Sequence, residues 1–282
     1  LSAYSKARMC AAYAYALVED GEKNAMDGVG QVARLFSDLD LEQIVARTHA
    51  NCLSFLDGTP VASGHYDVIF DEETQVQLFH TFAMMFSGKS AKDGVNPMRE
   101  KVGQGIADKR LNILDMPLNS TGFGYSLFDS EGTATRSTPL IVAGTLASLV
   151  HNSATAAFFD LPTTGHASRG PKSTMGVALH QLEIVRGQSP ASELLAGEYL
   201  LLTDLTGLHS GANAISGNFS FGASGYLCRD GERVRAVRGI TVAGNFYEML
   251  RKIAMIGDQQ YWNWERTALM PHVRFADIAI SG

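Results

Sequence analysis

Along much of this chain apolar and polar positions alternate with a period near two, and the alternation gives way to helical spacing in a few stretches. Residues 2–18, SAYSKARMCAAYAYALV, set tyrosines and alanines beside Lys6 and Arg8, which lie two apart, and predict a strand despite the helix-favouring alanines. EDGEK then supplies a hairpin turn through Asp20 and Gly21, and residues 29–36 predict the returning strand. A helix follows, with Asp40 as N-cap, Gln43 at the capping-box position, and Leu41, Ile44, Val45, Thr48 and Cys52 on one face. DGTPVAS at 57–63 combines Gly, Pro and small polar residues, and it predicts a boundary that divides the chain into 1–60 and 61–282.

Beyond that boundary HYDVIF reads as a strand. DEETQVQLFHTFAMMF reads as a helix capped by Asp71, with Val76, Phe79, His80, Ala83 and Phe86 on one stripe. Residues 88–110 turn polar and Gly-rich and predict an excursion over the surface. Short apolar runs separated by turn residues follow: LNILDMP, GYSLFDSEG, TPLIVAGTLASLV, GVALHQLEI, EYLLLTDL, GYLCRDGERVRAV and HVRFADIAI. ITVAGNFYEMLRKI predicts a strand, a turn at Gly244 and Asn245, and a helix with Phe246, Met249, Leu250 and Ile253 on one face. Many short strands with few helices give an α+β class, mainly antiparallel β-sheet with a few packed helices.

Composition narrows the partners. With 282 residues, 45% apolar and 18% charged, the chain can bury a substantial core. A net charge of −6 gives no attraction for a polyanion. The densest basic cluster, Arg229, Arg233, Arg235 and Arg238, is diluted by Asp230 and Glu232 and reads as a solvated hairpin. No nucleic acid is expected as partner. Cys10, Cys52 and Cys228 form no CxxC pair, which predicts a reducing compartment and a cytoplasmic location. No apolar window reaches the length of a membrane span, and no basic-then-apolar leader opens the chain, which begins without Met.

The chemistry-bearing patterns fail one by one. His80 is followed by Thr81, with Met84 and Met85 at i+4 and i+5, so the helix offers no HExxH. The other seven histidines are scattered, and a site made of them would have to be assembled by the fold. Ser224 in GASG and Ser168 in GHASRG are not GxSxG elbows; a set of Ser224, His209 and Asp204 can be drawn, as chance allows in any chain this long. The glycine-dense run 207–225, GLHSGANAISGNFSFGASG, matches neither GxxxxGK[ST] nor GxGxxG. Its interspersed Phe, Ile and Leu place it inside a packed domain. Two readings stay open: tight turns within a sheet core, or a surface approached by a ligand.

The run TDLTGLHSGANAISGNFSFGASGYLCRDGERVRAVRGITVAGNFYEMLRKIAMIGD resembles the C-terminal signature of the TldD/PmbA family, within it the PmbA (TldE) branch. GHYDVIFDEETQVQLF, FSGKSAKDG, KVGQGI, FDSEGTATRSTPLI and TTGHASRG match upstream in order. The likeness covers 64–282 well and implies that 1–60 is the end of an N-terminal α/β region, since family members are longer at that end. It also implies a cytoplasmic two-subunit proteolytic assembly. In the TldD branch zinc sits on an HExxxH helix with a cysteine near the C-terminus; the PmbA branch lacks those ligands and partners the catalytic subunit. Here the motif falls on His80, Thr81 and Met85 and keeps its first histidine alone, and residues 256–282 contain no Cys.

The resemblance therefore implies a subunit without catalytic residues, metal or cofactor. Its partners are a TldD-like zinc-bearing subunit, a second copy of the chain, or both, together with an extended peptide. Residues 208–224 are expected to line the peptide groove or subunit interface, through His209, Gly211, Asn213, Phe219 and Ser224. The alternatives are an active peptidase acting through an unrecognised site, and a protein-binding scaffold or modulator without catalysis.

Overall fold

The computed structural model describes Tyr4 and residues 6–282. Strand β1 (Cys10–Asp20) pairs antiparallel with β2 (Lys23–Ala33) across the Gly21 turn. The first strand starts later than its pattern suggested, and Ser2, Ala3 and Ser5 of that prediction lie outside the described residues. Helix α1 (Leu41–Leu56) is capped by Asp40, whose side chain accepts from Gln43 N–H at 2.9 Å. The reciprocal capping-box bond is replaced: Asp40 N–H donates to Gln31 Oε1 on β2. Ile44, Thr48, Cys52 and Phe55 form the buried face, and Thr48 and Cys52 reach the Ala14 and Ala16 carbonyls. Leu41 and Val45, expected on that face, are 43% and 62% exposed.

The remainder runs β3 (Gly64–Phe70), α2 (Glu72–Thr81), a 3-10 turn (Ala83–Phe86), α3 (Gly88–Lys92), β4 (Ile113–Asp115), β5 (Thr138–Val142), β6 (Thr145–Leu146) and α4 (Ser153–Phe158). After these come β7 (Ala167–Ser168), β8 (Gly176–Val177), β9 (Leu182–Ile184), α5 (Ala191–Leu194), β10 (Glu198–Thr206), β11 (Asn218–Arg229), β12 (Glu232–Asn245), α6 (Phe246–Met249), β13 (Ile253–Trp262) and β14 (Ala268–Ser281). The large sheet has the order β12-β11-β10-β3-β14-β9-β4-β5-β6, with β13 also on β14. Thr241 to Ala243 of β12 return to pair with β14, so the path β12-β11-β10-β3-β14 closes into a barrel-like ring. Among the described pairs β10–β3 and β14–β9 are parallel and the rest antiparallel, which matches the α+β, mainly antiparallel expectation. No helix is long and apolar enough to cross a membrane among the described residues.

Local chemistry explains where the elements depart from their patterns. The helix from Asp71 ends at Thr81 and tightens into the 3-10 turn, which rotates the buried stripe: Phe82 and Met85 turn fully inward, and His80 is left exposed. Asn245 caps α6 by accepting from Tyr247 and Glu248 N–H, but that helix lasts only to Met249. Ile253, expected on it, instead opens β13. GYSLFDSEG forms a single bridge, Phe128 to Ala134, because Asp129 folds it into turns by accepting from Glu131 and Thr133 N–H. The 88–110 excursion is anchored, since Ala91, Met98 and Ile106 are buried in the main core.

That core is aromatic where the helices meet the ring. Phe82 stacks on Phe246 at 4.5 Å with 6° between the planes; Phe79 meets Phe246 edge-on, and Phe219 stacks on Phe221. A smaller cluster packs Ala25 and Phe55 against Ile69, Tyr199, Tyr226 and Cys228 and joins the opening hairpin and α1 to the ring. The arginine hairpin is not simply solvated. Arg235 binds the Thr59 and Pro60 carbonyls, Arg238 binds those of Asn24 and Phe55, and Arg233 lies 4.0 Å over the Tyr226 ring. Phe82→Ala should cost about 3–5 kcal/mol of unfolding free energy, as a truncated core aromatic does, measured by urea denaturation. A loss under 1 kcal/mol would mean that the stack does not hold α2.

Candidate functional site

Three places in the fold carry the chemistry-bearing side chains: the first turn of α2, the loop before β11, and a buried polar cluster beside β4. At α2, Asp71, Glu72 and Glu73 stand together at the helix N-terminus, where carboxylates complement the exposed N–H groups. Burial pushes Asp71 up to about 6 even though it accepts from Thr74 N–H and Oγ1–H. Burial likewise drives Glu73 up to about 8, offset in part by the bond that Trp264 N–H donates and reinforced by Asp71, Glu72 and Glu265. For Glu72 burial acts upward, yet His272 and Arg47 bring it below its usual range; His272 Nε2 stands 3.5 Å from its Oε2. His272 is itself stacked on Tyr261 at 4.6 Å. One helical turn thus holds neighbouring carboxyls in opposite protonation states near neutral pH.

In the sequence this turn reads only as a helix start capped by Asp71. What distinguishes it is the Trp264 N–H on Glu73 and the His272 ring beside Glu72, two contacts that depend on the long-range pairing of β13 with β14. Further along α2 the degenerate motif is now placed. His80 is exposed, and Glu265 is close enough to act on it electrostatically. The Thr81 hydroxyl donates back to the Gln77 carbonyl at 2.8 Å, and Met85 is fully buried in the core. A zinc ion at this motif would need a second nitrogen and a carboxylate base where these two stand, so the residues do not fit the metal.

The glycine-dense loop is largely spent on its own architecture. Ser220 N–H donates to Gly211 O at 2.7 Å, and a Cβ on Gly211 would sit 2.2 Å from Ser220 O. Asn213 Oδ1 accepts from Ile215 and Ser216 N–H, an Asx-type turn, though the residue is exposed. Phe219 is buried in the aromatic cluster and presents no surface to a ligand. Ser224 is half-buried in β11, opposite Asp204 of β10, and His209 is exposed at the far end of the loop. No hydrogen bond joins Ser224, Asp204 and His209 among the described residues, so the imagined triad is not assembled.

The third place was invisible in the sequence. Asp115, at the end of β4, meets His166, 51 residues away, at 2.9 Å, and both side chains are fully buried. His180 joins them, and one donor atom from each of the three lies within 4.8 Å of the others. Nearby, His151 is buried, and its imidazole is pushed down by that burial with help from His166. Among the described residues this is the cluster able to hold a metal ion.

Residues 63–282 match the family model described as the PmbA/TldA metallopeptidase C-terminal domain. The chain belongs to the TldD/PmbA family. Metalloprotease PmbA of Escherichia coli O157:H7 is 29% identical over 246 residues, covering 86% of this chain and 52% of that protein. A zinc metalloprotease TldD homolog of Saccharolobus solfataricus is 24% identical over 232 residues, 80% of this chain and 51% of that protein. The chain therefore spans about half the length of the curated relatives it matches. Among solved structures, a Thermotoga maritima protein described as a modulator of a DNA gyrase superposes with a TM-score of 0.87 at 27% identity, over 96% of this chain and 62% of that one. TldE from Thermococcus kodakarensis does so with 0.84 at 25%, over 96% and 63%.

The α2 carboxyls give a signed pH effect. Glu73 is protonated in the folded protein up to about pH 8 but ionises near 4.5 when unfolded. The folded state thus holds an extra proton between those values, and stability falls as pH rises through that window. Glu73→Gln removes this dependence, so its melting temperature relative to the parent should be unchanged near pH 4.5 and progressively higher towards pH 8.5. Thermal melts across that range test this, and a constant difference would contradict the assignment.

Proposed function

We propose that this chain is a PmbA/TldE-type subunit of a TldD/TldE-type zinc metallopeptidase assembly acting in proteolysis and peptide maturation, and that it contributes no catalytic zinc from α2. The observation that carries this reading is Met85. The position that would supply the second metal nitrogen is a core methionine with no solvent exposure, and Thr81 stands where the base would be. Without those groups the chain cannot activate water on this helix. Its contribution is to bind, orient and enclose.

An extended peptide is recognised through backbone donors and acceptors, with small residues permitting close approach. The loop at 207–217 supports part of that role. His209, Ser210 and Asn213 are exposed along it, whereas Gly211 and Phe219 serve the loop and the core. The zinc would come from a TldD-type partner carrying HExxxH, and the whole would act in the cytoplasm, as the free cysteines suit.

Mixing experiments test the reading. The purified chain alone should leave a fluorogenic peptide library intact, and the same chain should raise the turnover of a TldD-type subunit on it. The double substitution His209→Ala, Asn213→Ala should weaken that stimulation by about tenfold, as expected for losing two polar contacts. Hydrolysis by the chain alone that is abolished by His80→Ala would overturn the proposal.

A further inference from the structure

Hydrogen-bond partners at the buried cluster orient its imidazole rings. His180 Nε2 lies 2.8 Å from the Gly165 carbonyl, which can only accept, so Nε2 carries a hydrogen and Nδ1 is the nitrogen left to serve as a ligand. His166 Nδ1 lies 3.0 Å from the Thr164 carbonyl and 2.9 Å from Thr164 Oγ1. That hydroxyl accepts from His151 N–H at 2.6 Å and has its own acceptor in the His151 carbonyl at 3.0 Å, so its proton is already placed. His166 Nδ1 is therefore a donor, and its Nε2 faces Asp115 Oδ2, 2.9 Å away. At that distance in a buried contact a cation, either a proton or a metal ion, must stand between the two atoms.

Asp115 is held for the same purpose. Its Oδ1 accepts from His180 N–H at 2.9 Å and Gln181 N–H at 2.8 Å, which leaves Oδ2 directed at His166. Both imidazoles thus have their far nitrogens tied to backbone carbonyls, and the carboxylate is oriented by two backbone amides. This is the outer-shell pattern that fixes tautomer and direction in metal-ligating histidines. A proton on His166 would satisfy Asp115; a metal ion would in addition engage His180, whose ligand atom lies within 4.8 Å of the other two.

We propose that Asp115, His166 and His180 form a binding site for a divalent transition-metal ion, zinc by its donor set of two imidazole nitrogens and one carboxylate oxygen. An ion at the usual ~2.0–2.2 Å from His166 Nε2 and Asp115 Oδ2 subtends roughly 90° at their present separation, and a tetrahedral ion would open the pair by about half an ångström. His180 borders a surface depression lined by Ser126, Asp129 and Ser168, which gives the ion an entry path and a water its fourth position. Bound there, the ion clamps the end of β4, the segment before β7 and the approach to β9. The site is separate from the α2 motif and does not depend on the reading of that motif above.

The test uses the 282-residue chain without a histidine tag, stripped with a chelator and titrated with Zn²⁺ against a chromophoric competitor. One zinc per chain is expected. His180→Gln, which keeps a donor for the Gly165 carbonyl and leaves the Asp115–His166 pair intact, should weaken binding at least about tenfold with an unchanged circular dichroism spectrum. His80→Ala should leave binding unaltered. Co²⁺ added to the parent chain should give visible d–d bands of a low-coordinate nitrogen and oxygen site, independent of any variant. Absence of stoichiometric zinc, unchanged affinity in His180→Gln, or loss of binding in His80→Ala would each overturn the assignment. None of these outcomes bears on whether the chain stimulates a peptidase partner.

Discussion

The inward face of α2 against the closed ring is the constraint on which the rest of this structure depends. The ring of β12, β11, β10, β3 and β14 leaves an interior that must be filled at close packing, and Leu78, Phe79, Phe82, Met85 and Phe86 fill much of it. The fill is cooperative, because Phe82 cannot stack on Phe246 unless the 3-10 turn after Thr81 rotates it inward. That rotation also fixes what the helix can do. Positions 82 and 85 belong to the core, and position 80 belongs to the surface. A pair of metal ligands at 80 and 85 would have to sit on one side of the same packing boundary, and in this chain they sit on opposite sides.

Charge is distributed by the same boundary. The first turn of α2 emerges from the ring where β13 and β14 pair, and Trp264 and His272 close over it. Asp71 and Glu73 lose solvent, while Glu72 keeps Arg47 and His272 as partners. The neighbouring carboxyls of Glu72 and Glu73 are therefore pushed in opposite directions for a geometric reason, the roughly 100° step between successive helical residues, which gives Glu72 the His272 and Arg47 partners that Glu73 lacks. The arginine hairpin obeys a similar logic. Arg235 ends on the Thr59 and Pro60 carbonyls of the 57–63 segment, and Arg238 on those of Asn24 in the opening hairpin and Phe55 at the end of α1.

The α+β class, the N-caps Asp40 and Asp71, and most strands were legible in the sequence, because caps and period-two alternation are local signals. Tertiary competition hid the rest. Leu41 and Val45 fit the helical period, yet the hairpin that α1 covers is narrow, and the stripe drifts to Phe55. β13 was missed because α6 stops after four residues, and nothing local marks that end; its pairing with β14 decides it. Of the site, the absence of a second ligand after His80 was readable directly. The convergence of Asp115, His166 and His180 was not, since β4, β7 and β9 bring together residues with no common spacing.

Glycine and buried polar groups solve opposite sides of one accounting problem. In the ring, Gly225 lets β11 pass so close to β10 that a Cβ would stand 2.0 Å from the Leu201 carbonyl, at the point where the ladder register shifts. There the backbone satisfies itself and no side chain is needed. Beside β4 the chain is irregular, with β7 and β8 only two residues each, and too few ladder bonds exist to satisfy the segments around them. Side chains take over: Asp129 accepts from three amides, Asp115 accepts from two amides and faces an imidazole, and Thr164 serves both the amide and the carbonyl of His151. A polar network of this density holds only if every lone pair and every proton has a counterpart.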